Sequence, residues 1–156
     1  MLHYLIIFLV SMVPIIELRG AMVYAMGYDL PYIPALVVCV VGNMLPVPMI
    51  YFFARKFLVW GANKRFIGKL CKFFLVKGER AGQKLVAATG RGGLFLALLL
   101  FVGIPLPGTG AWTGTLGASF LNMGFKSTVL AVSLGVILAG IIMAVVSTGV
   151  FSVMGI

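Results

Sequence analysis

Charged residues are scarce in this chain of 156 residues, because Asp, Glu, Lys and Arg together make up only 10% of it. A soluble domain is about a quarter charged. Hydrophobic residues account for 62%, and the mean hydropathy is +1.18. This composition excludes an ordinary soluble domain and indicates an all-α integral membrane protein that forms a single membrane domain over residues 1–156.

The side chains that most enzymes rely on are also nearly absent. His3 is the one histidine and lies at the extreme N-terminus, while Cys39 and Cys71 share no spacing pattern with it. The three acidic residues are too far apart in sequence to suggest a divalent metal site. There is no Ser-His-carboxylate set and no His/Cys cluster. We therefore expect no catalysis, no metal and no cofactor.

The most informative charges are Glu17 and Arg19, two residues apart in a stretch from Met1 to Tyr28 that is otherwise uncharged. A charge inside the hydrocarbon layer costs at least about 2.5 kcal/mol on insertion scales, and such residues usually mark a functional site. Pro14 precedes the pair and Gly20 follows it. This placement predicts a break in the helix where the charges lie.

Two interpretations of the N-terminal segment remain open. His3–Val13 reaches about 16 Å as a helix, roughly half of the hydrocarbon core, and Ala21–Met26 resumes after the break. Half a span, a break and a second half predict a re-entrant hairpin. The alternative is one kinked helix from Leu2 to Met26 that crosses the membrane.

A second interrupted segment lies roughly ninety residues further on. Leu94–Phe101 is again about half a span, Gly103–Gly110 interrupts it, and Ala111–Leu121 resumes. Each half is followed by a longer uncharged run: Tyr32–Ala54, with an expected kink at Asn43, Pro46 and Pro48, and the run after Lys126. Paired interrupted segments are the best sequence pointer to a transporter site.

The basic residues are concentrated in one place, since ten of the twelve lie between Arg55 and Arg91. Asn63–Lys77 alternates lysines with apolar residues at helical spacing, which predicts an amphipathic helix in the headgroup plane, ended by Gly78. By the positive-inside rule this block is cytoplasmic. Its flanking membrane segments make membrane lipids, and not nucleic acid, the expected partner.

The order of hairpin and span occurs twice with opposite orientation, so we predict an inverted repeat. Repeat 1 covers residues 1–60, a basic cytoplasmic connector covers 61–91, and repeat 2 covers 92–156. Both termini then lie outside. Arg19-Gly20-Ala21 and Thr109-Gly110-Ala111 are a faint echo at an offset of ninety residues.

Two hairpin tips that enter from opposite faces would meet near the midplane. The second tip offers backbone N–H groups at the start of a helix, which suits an anion, and Thr109 is a candidate cap for that helix. Arg19 adds a fixed positive charge. Glu17 either pairs with Arg19 or carries a coupling proton, and a third alternative is that the two charges only tie one hairpin to the other. The candidate substrate-binding residues are Glu17, Arg19, Gly20, Pro107, Gly108, Thr109, Gly110, Ala111, Trp112 and Thr113.

Three segments carry a family resemblance: PIIELRGA (Pro14–Ala21), NMLPVP (Asn43–Pro48) and PLPGTGAWTG (Pro105–Gly114). They resemble the small multi-drug export proteins, a family similar in predicted architecture to the DedA (VTT-domain) superfamily. That resemblance implies paired re-entrant hairpins, an acid/base pair at Glu17 and Arg19, and lipid movement linked to proton-motive force. The chain differs from DedA proteins in being short and in having Thr109 and glycine amides where they carry a second arginine.

We accordingly expect a transporter in a prokaryotic inner membrane. The first hypothesis is a flippase for an anionic lipid, most simply a polyprenyl phosphate such as undecaprenyl phosphate, with its headgroup as the ligand and possible proton coupling. The alternatives are a small-molecule exporter and a non-transporting assembly protein. Because the chain is so short, a complete pathway suggests a homo-oligomer, most simply a dimer.

Overall fold

The protein is all-helical in the computed structural model, which describes residues 1–14, 16–106 and 108–154. No strand occurs within those ranges, and the helices are α1 (Leu2–Met12), α2 (Glu17–Gly27), α3 (Tyr32–Met44), α4 (Pro46–Ala62), α5 (Gly68–Gly103), α6 (Ala111–Phe120) and α7 (Phe125–Met154). Within the described part of the chain, three stretches are long and apolar enough to cross a membrane: Tyr32–Ala62, Val86–Gly103 and Phe125–Val146. The predicted all-α class is confirmed.

Helices α1 and α2 fold back on each other as a helical hairpin. The ring of His3, at the start of α1, lies 4.7 Å from the ring of Tyr28, just after α2. In one continuous helix those residues would be separated by about 37 Å. Val13 is extended at the break, with φ −74° and ψ 128°, and Pro14 follows it. The alternative of a single kinked helix is therefore wrong.

Helices α3 and α4 form one long helical segment, and Leu45 between them keeps helical backbone angles, with φ −61° and ψ −43°, so the kink expected here stays a prediction. Only Leu45 separates them, and Pro46 occupies the first turn of α4. Proline is favoured there because its missing N–H has no partner in that position anyway. The apolar run ends at Ala54, as predicted, but the helix continues to Ala62 because Arg55 and Lys56 are good helix formers.

Helix α5 corrects the prediction for the basic connector. It starts at Gly68 instead of Asn63 and passes through Gly78 without stopping. A Cβ on Gly78 would lie 2.3 Å from the carbonyl oxygen of Phe120, so this glycine permits a close helix approach. The actual break is at Gly90, whose φ of 72° and ψ of 177° suit glycine. The predicted half-span Leu94–Phe101 lies in the part of α5 that follows this break and ends at Gly103.

The remaining packing brings the starts of α2 and α6 to the centre of the molecule. α1 packs on α3, α5 packs on α7, α6 packs on α4, and α2 contacts both α3 and α7. The core between them includes Ile7, Leu18, Met22, Val102 and Val136, all at most 2% exposed. The outer surface carries many exposed large apolar side chains, as expected for a lipid-facing surface.

Candidate functional site

The two charged residues of the first hairpin meet the turn of the second. The first hairpin is α1–α2, and the second hairpin is formed by α5 after Gly90 together with α6. We call the place where they meet the hairpin junction, and define it by Glu17, Arg19, Thr109, Gly110 and Ala111. Residues about ninety positions apart in sequence are in direct contact there.

Glu17 caps the N-terminus of α6 from the other hairpin. Its side chain is 6% exposed, and its two carboxylate oxygens accept hydrogen bonds from the backbone N–H groups of Ala111 at 3.1 Å and Trp112 at 3.0 Å. The first amides of a helix have no partner within the helix, and its N-terminus carries roughly half a positive charge. A carboxylate in this position therefore satisfies both the amides and the helix dipole.

The backbone of Glu17 is unusual as well. Its φ is 49°, in the left-handed region that residues with a Cβ rarely adopt. Such a conformation costs on the order of 1–3 kcal/mol and persists only where surrounding contacts hold it. The two hydrogen bonds to α6 are contacts of this kind.

Arg19 binds the other helix end at the α5–α6 break, which is the C-terminus of α5. Its guanidinium donates to the carbonyl oxygens of Leu106, of Ile104 at 3.2 Å and of Val102 at 3.5 Å. It also donates to Thr109 Oγ1 at 3.0 Å. The carbonyls at a helix C-terminus carry partial negative charge. Arg19 thus caps the end of α5, while Glu17 caps the start of α6.

Thr109 has a different role from the one predicted. Its hydroxyl lies 2.9 Å from the carbonyl oxygens of Ile104 and Leu106, and it accepts from the Leu106 N–H at 3.3 Å. Thr109 therefore holds the turn between α5 and α6 together. The expected cap on α6 is supplied by Glu17, because residue 110 is a glycine and has no side chain to cap the helix.

The glycines at the junction allow this close approach. A Cβ on Gly110 would lie 1.9 Å from a Glu17 carboxylate oxygen, so only glycine leaves room for the cap. A Cβ on Gly20 would lie 2.2 Å from the Ile16 side chain. Gly108 has a φ of 81° with open space around it, which a tight turn requires.

The other predicted residues divide into two groups. Ala111 and Trp112 are at the junction through their backbone amides, and the Trp112 indole donates to the Met12 carbonyl at 3.2 Å. Thr113 is exposed, and its hydroxyl lies 3.4 Å from the Gly110 carbonyl. Pro107 lies outside the described residues.

Sequence reasoning missed the role of Asn43. This residue is 1% exposed and lines a cavity of about 10 Å³ together with Glu17, Arg19 and Gly110. A polar amide in an apolar run just before Pro46 and Pro48 was the available signal, and it predicted only the kink. A larger cavity of about 610 Å³ lies elsewhere, between α5 and the α6–α7 turn.

The junction can hold charge but has no room for a substrate in this conformation. A cavity of about 10 Å³ holds no more than a single water-sized molecule. The α6 amides expected to bind an anion already bind one, and it is the carboxylate of Glu17. A substrate that uses the same amides must displace Glu17.

Helices of membrane-spanning length, packed around the contact that Glu17 makes with the start of α6, identify an integral membrane protein. A family model described as "Putative small multi-drug export protein" matches residues 17–142. Because this match covers most of the chain, the protein belongs to the small multi-drug export family. No curated protein and no solved structure is significantly similar to it. The wider relation to DedA proteins stays a prediction.

Proposed function

We propose that this chain is a proton-linked membrane exporter of small amphipathic molecules in which the contact between Glu17 and α6 is the coupling element. The observation that carries the proposal is the cap itself. A nearly buried carboxylate from one hairpin holds the first two amides of the helix in the other. Membership of an export family supports transport over catalysis.

Protonation of Glu17 would loosen this contact for a simple reason. Hydrogen bonds to an ionised carboxylate are about twice as strong as those between neutral groups. A proton taken up by Glu17 weakens both bonds to α6 at once. The helix then loses its cap, and its N-terminus becomes available to a substrate or to a rearranged backbone.

Two apolar grooves beside α6 support entry of the substrate from the lipid. One of about 390 Å³ runs along Trp112, Leu116 and Phe120 on one face of the helix. The other, of about 260 Å³, runs along Thr113, Gly114 and Gly117. Grooves of this size are near the lower end of drug-binding pockets. The helix that Glu17 caps is thus the wall between two apolar sites.

The membrane arrangement belongs to the same proposal. Both hairpins re-enter the membrane from opposite faces as an inverted repeat, and their tips meet near the midplane. The hydrogen bond between Arg19 and Thr109 supports this, because the repeat equates those two residues, and equivalent residues touch only near a pseudo-two-fold axis. The packing follows the same scheme, since α1 lies on α3 as α5 lies on α7.

Topology can be tested by single-cysteine labelling from each side of a prokaryotic inner membrane. We expect labels at Met1 and Ile156 (the latter outside the described residues) only from the outside, and a label at Lys72 only from the cytoplasm. Cys39 and Cys71 are replaced by alanine first, because both are free thiols. Cytoplasmic labelling of either terminus would contradict the inverted repeat.

Transport is tested with the purified protein in liposomes. Ethidium serves as a lipophilic cation, and an imposed proton gradient drives its movement. We expect Glu17→Gln to reduce proton-driven transport at least tenfold, because the amide cannot take up a proton. Glu79→Gln makes the same chemical change at an exposed position on α5 and should leave the rate unchanged. Wild-type rates in Glu17→Gln would end the proposal.

The junction also favours a second candidate, translocation of an anionic lipid such as a polyprenyl phosphate. The α6 N-terminus already binds a carboxylate, and Arg19 lies beside it. A phosphate could replace Glu17 on the same amides once Glu17 is protonated. A fluorescent polyprenyl phosphate in the same liposomes distinguishes the two candidates, because movement of the lipid without ethidium transport favours the flippase.

The remaining alternative is an assembly protein that transports nothing. It predicts that Arg19→Ala leaves function in cells intact. We also expect the functional unit to be a homodimer, because one short chain offers few spans to enclose a pathway. Counting of photobleaching steps in single liposomes checks this, and a single step throughout would contradict a dimer.

A further inference from the structure

One buried polar atom in the membrane core lacks a partner. The side chain of Asn43 is 1% exposed, and among the described residues its Oδ1 atom has no hydrogen-bond partner. More than 90% of buried polar groups in proteins are hydrogen-bonded, so an orphaned acceptor of this kind calls for an explanation. The missing partner has to be a hydrogen-bond donor.

The position of Asn43 points to where that donor is. It is the penultimate residue of α3, beside the break that precedes Pro46. Asn43 lines the cavity of about 10 Å³ that Glu17, Arg19 and Gly110 also line. A volume of about 10–15 Å³ is what one water molecule requires.

The neighbouring donors whose hydrogen bonds the structure describes are directed elsewhere. The hydrogen bonds of Arg19 go to carbonyl oxygens of the α5–α6 turn and to Thr109. The first two amides of α6 go to Glu17. A metal cation is disfavoured because the positively charged Arg19 is one of the residues that line the same cavity. A water molecule has two hydrogens to donate and fits the space.

We propose that one water molecule occupies this cavity and donates one hydrogen bond to Asn43 Oδ1 and the other to the Glu17 carboxylate. This inference rests on the proposed role of Glu17 as the coupling acid. The water is then the last carrier of the proton. The water oxygen accepts an incoming proton. The O–H bond that points at Glu17 then breaks, its hydrogen bonds to a Glu17 oxygen as a proton, and neutral water remains. Asn43 is a positioning residue that fixes the water against the carboxylate.

The test is infrared difference spectroscopy of the whole protein in liposomes, titrated between acid and alkaline pH in ordinary water and in H₂¹⁸O. A single bound water gives an O–H stretching band that shifts in H₂¹⁸O. We expect this band in the wild type, its loss in Asn43→Leu, and its return in Asn43→Ser, which restores a polar group and leaves room for water. Ser11→Ala, which removes a buried hydroxyl bonded within α1, is the matched control and should keep the band.

Transport provides an independent readout. In Asn43→Leu the pH profile of transport should move by at least half a pH unit toward alkaline pH, because the ionised carboxylate has lost a donor. Asn43→Ser should restore the wild-type profile. A purely structural role would lower the rate without moving the profile.

The outcomes separate this inference from the proposed function. Absence of the isotope-sensitive band in the wild type overturns the water, even if Glu17→Gln still abolishes transport. A change in the spectrum that depends on sodium ions instead of H₂¹⁸O overturns it in favour of a cation. Retention of the band alongside wild-type transport in Glu17→Gln would leave the water in place and end the coupling role.

Discussion

The two hairpin turns supply the junction with different kinds of polarity. The first hairpin contributes charged side chains, Glu17 and Arg19, from the start of α2. The second contributes backbone groups, since no charged residue occurs between Leu94 and Phe125. Each side chain of the first hairpin faces the backbone end that has the opposite partial charge. The carboxylate is on the α6 amides and the guanidinium on the α5 carbonyls.

This division shows how a helix break can be stabilised in a membrane protein. A break exposes N–H groups on one side and carbonyls on the other, and in lipid neither finds water. One motif of two charges binds both sets without any charged residue between Leu94 and Phe125. The two charges therefore stabilise the break as well as carrying the chemistry proposed for the site.

The largest effect is expected from removing the cation of the first hairpin. Arg19→Ala leaves the carbonyls of Ile104 and Leu106 without this donor and Glu17 without a nearby positive charge. We expect a loss of about 3 kcal/mol of unfolding free energy and of all transport. Arg19→Lys should recover only part, because an ammonium cannot match the guanidinium fork. Thermal unfolding in detergent measures the loss of stability. Equal stability of Arg19→Ala and wild type would show that Arg19 does not stabilise the contact between the two hairpins.

The contact can also be disrupted from the second hairpin, which supplies the backbone groups. Gly110→Ala places a methyl group where the Glu17 carboxylate lies, so the cap must move. We expect a destabilisation of about 2 kcal/mol, in the range for overpacking. Gly117→Ala is the matched control on α6, because a Cβ at that position would have nothing within 4 Å. It should be neutral or stabilising, and equal effects of the two variants would argue against the cap.

Replacing both Glu17 and Arg19 by glutamine separates their effect on stability from their effect on transport. In the double variant Glu17→Gln with Arg19→Gln no charge is buried, but the amide at position 17 has one acceptor oxygen for two α6 amides. We expect a loss of about 1–2 kcal/mol and a folded protein. Proton-driven transport should be absent. A double variant that transports at the wild-type rate would reduce both charges to a structural role.

The smallest effect concerns the second tie between the hairpins. The indole N–H of Trp112 donates to the Met12 carbonyl, and Trp112→Phe removes that donor while keeping an aromatic ring. We expect a loss of about 1 kcal/mol with transport retained. Trp60→Phe, at a side chain that is 55% exposed, is the control and should change stability less. A larger loss of stability in Trp60→Phe than in Trp112→Phe would show that the indole hydrogen bond to Met12 does not stabilise the fold.

Several features of the fold were predictable from local sequence because they depend on local chemistry. The break at Pro14 and the turn at Asp29 both occur where proline or turn residues indicate them. The stop at Gly78 was wrong, because a single glycine in a helix is tolerated and this one is used for packing. Gly90 is also a glycine in the same helix, but it adopts a non-helical conformation.

The candidate site was predictable in its members but not in its contacts. Glu17, Arg19 and the second turn were identified because charges and glycines are conspicuous in an apolar chain. That Glu17 itself would fill the expected anion site, and that Arg19 would face carbonyls, depends on which helix end each side chain meets. Asn43 was passed over for the same reason, since its importance comes from a cavity formed by α2, α3, α5, α6 and α7.

The sequence by itself determined the membrane class, the positions of the helix breaks and the residues that could carry charge there, because hydropathy and backbone preferences act within a few neighbouring residues. Only the tertiary structure decided that the side chains at the first break bind the helix ends at the second. Residues 17 and 111 are 94 positions apart, and their contact forms only when both hairpins pack into one core. Its strength comes from the low dielectric and the unpaired helix ends of that core, which no local stretch of sequence contains.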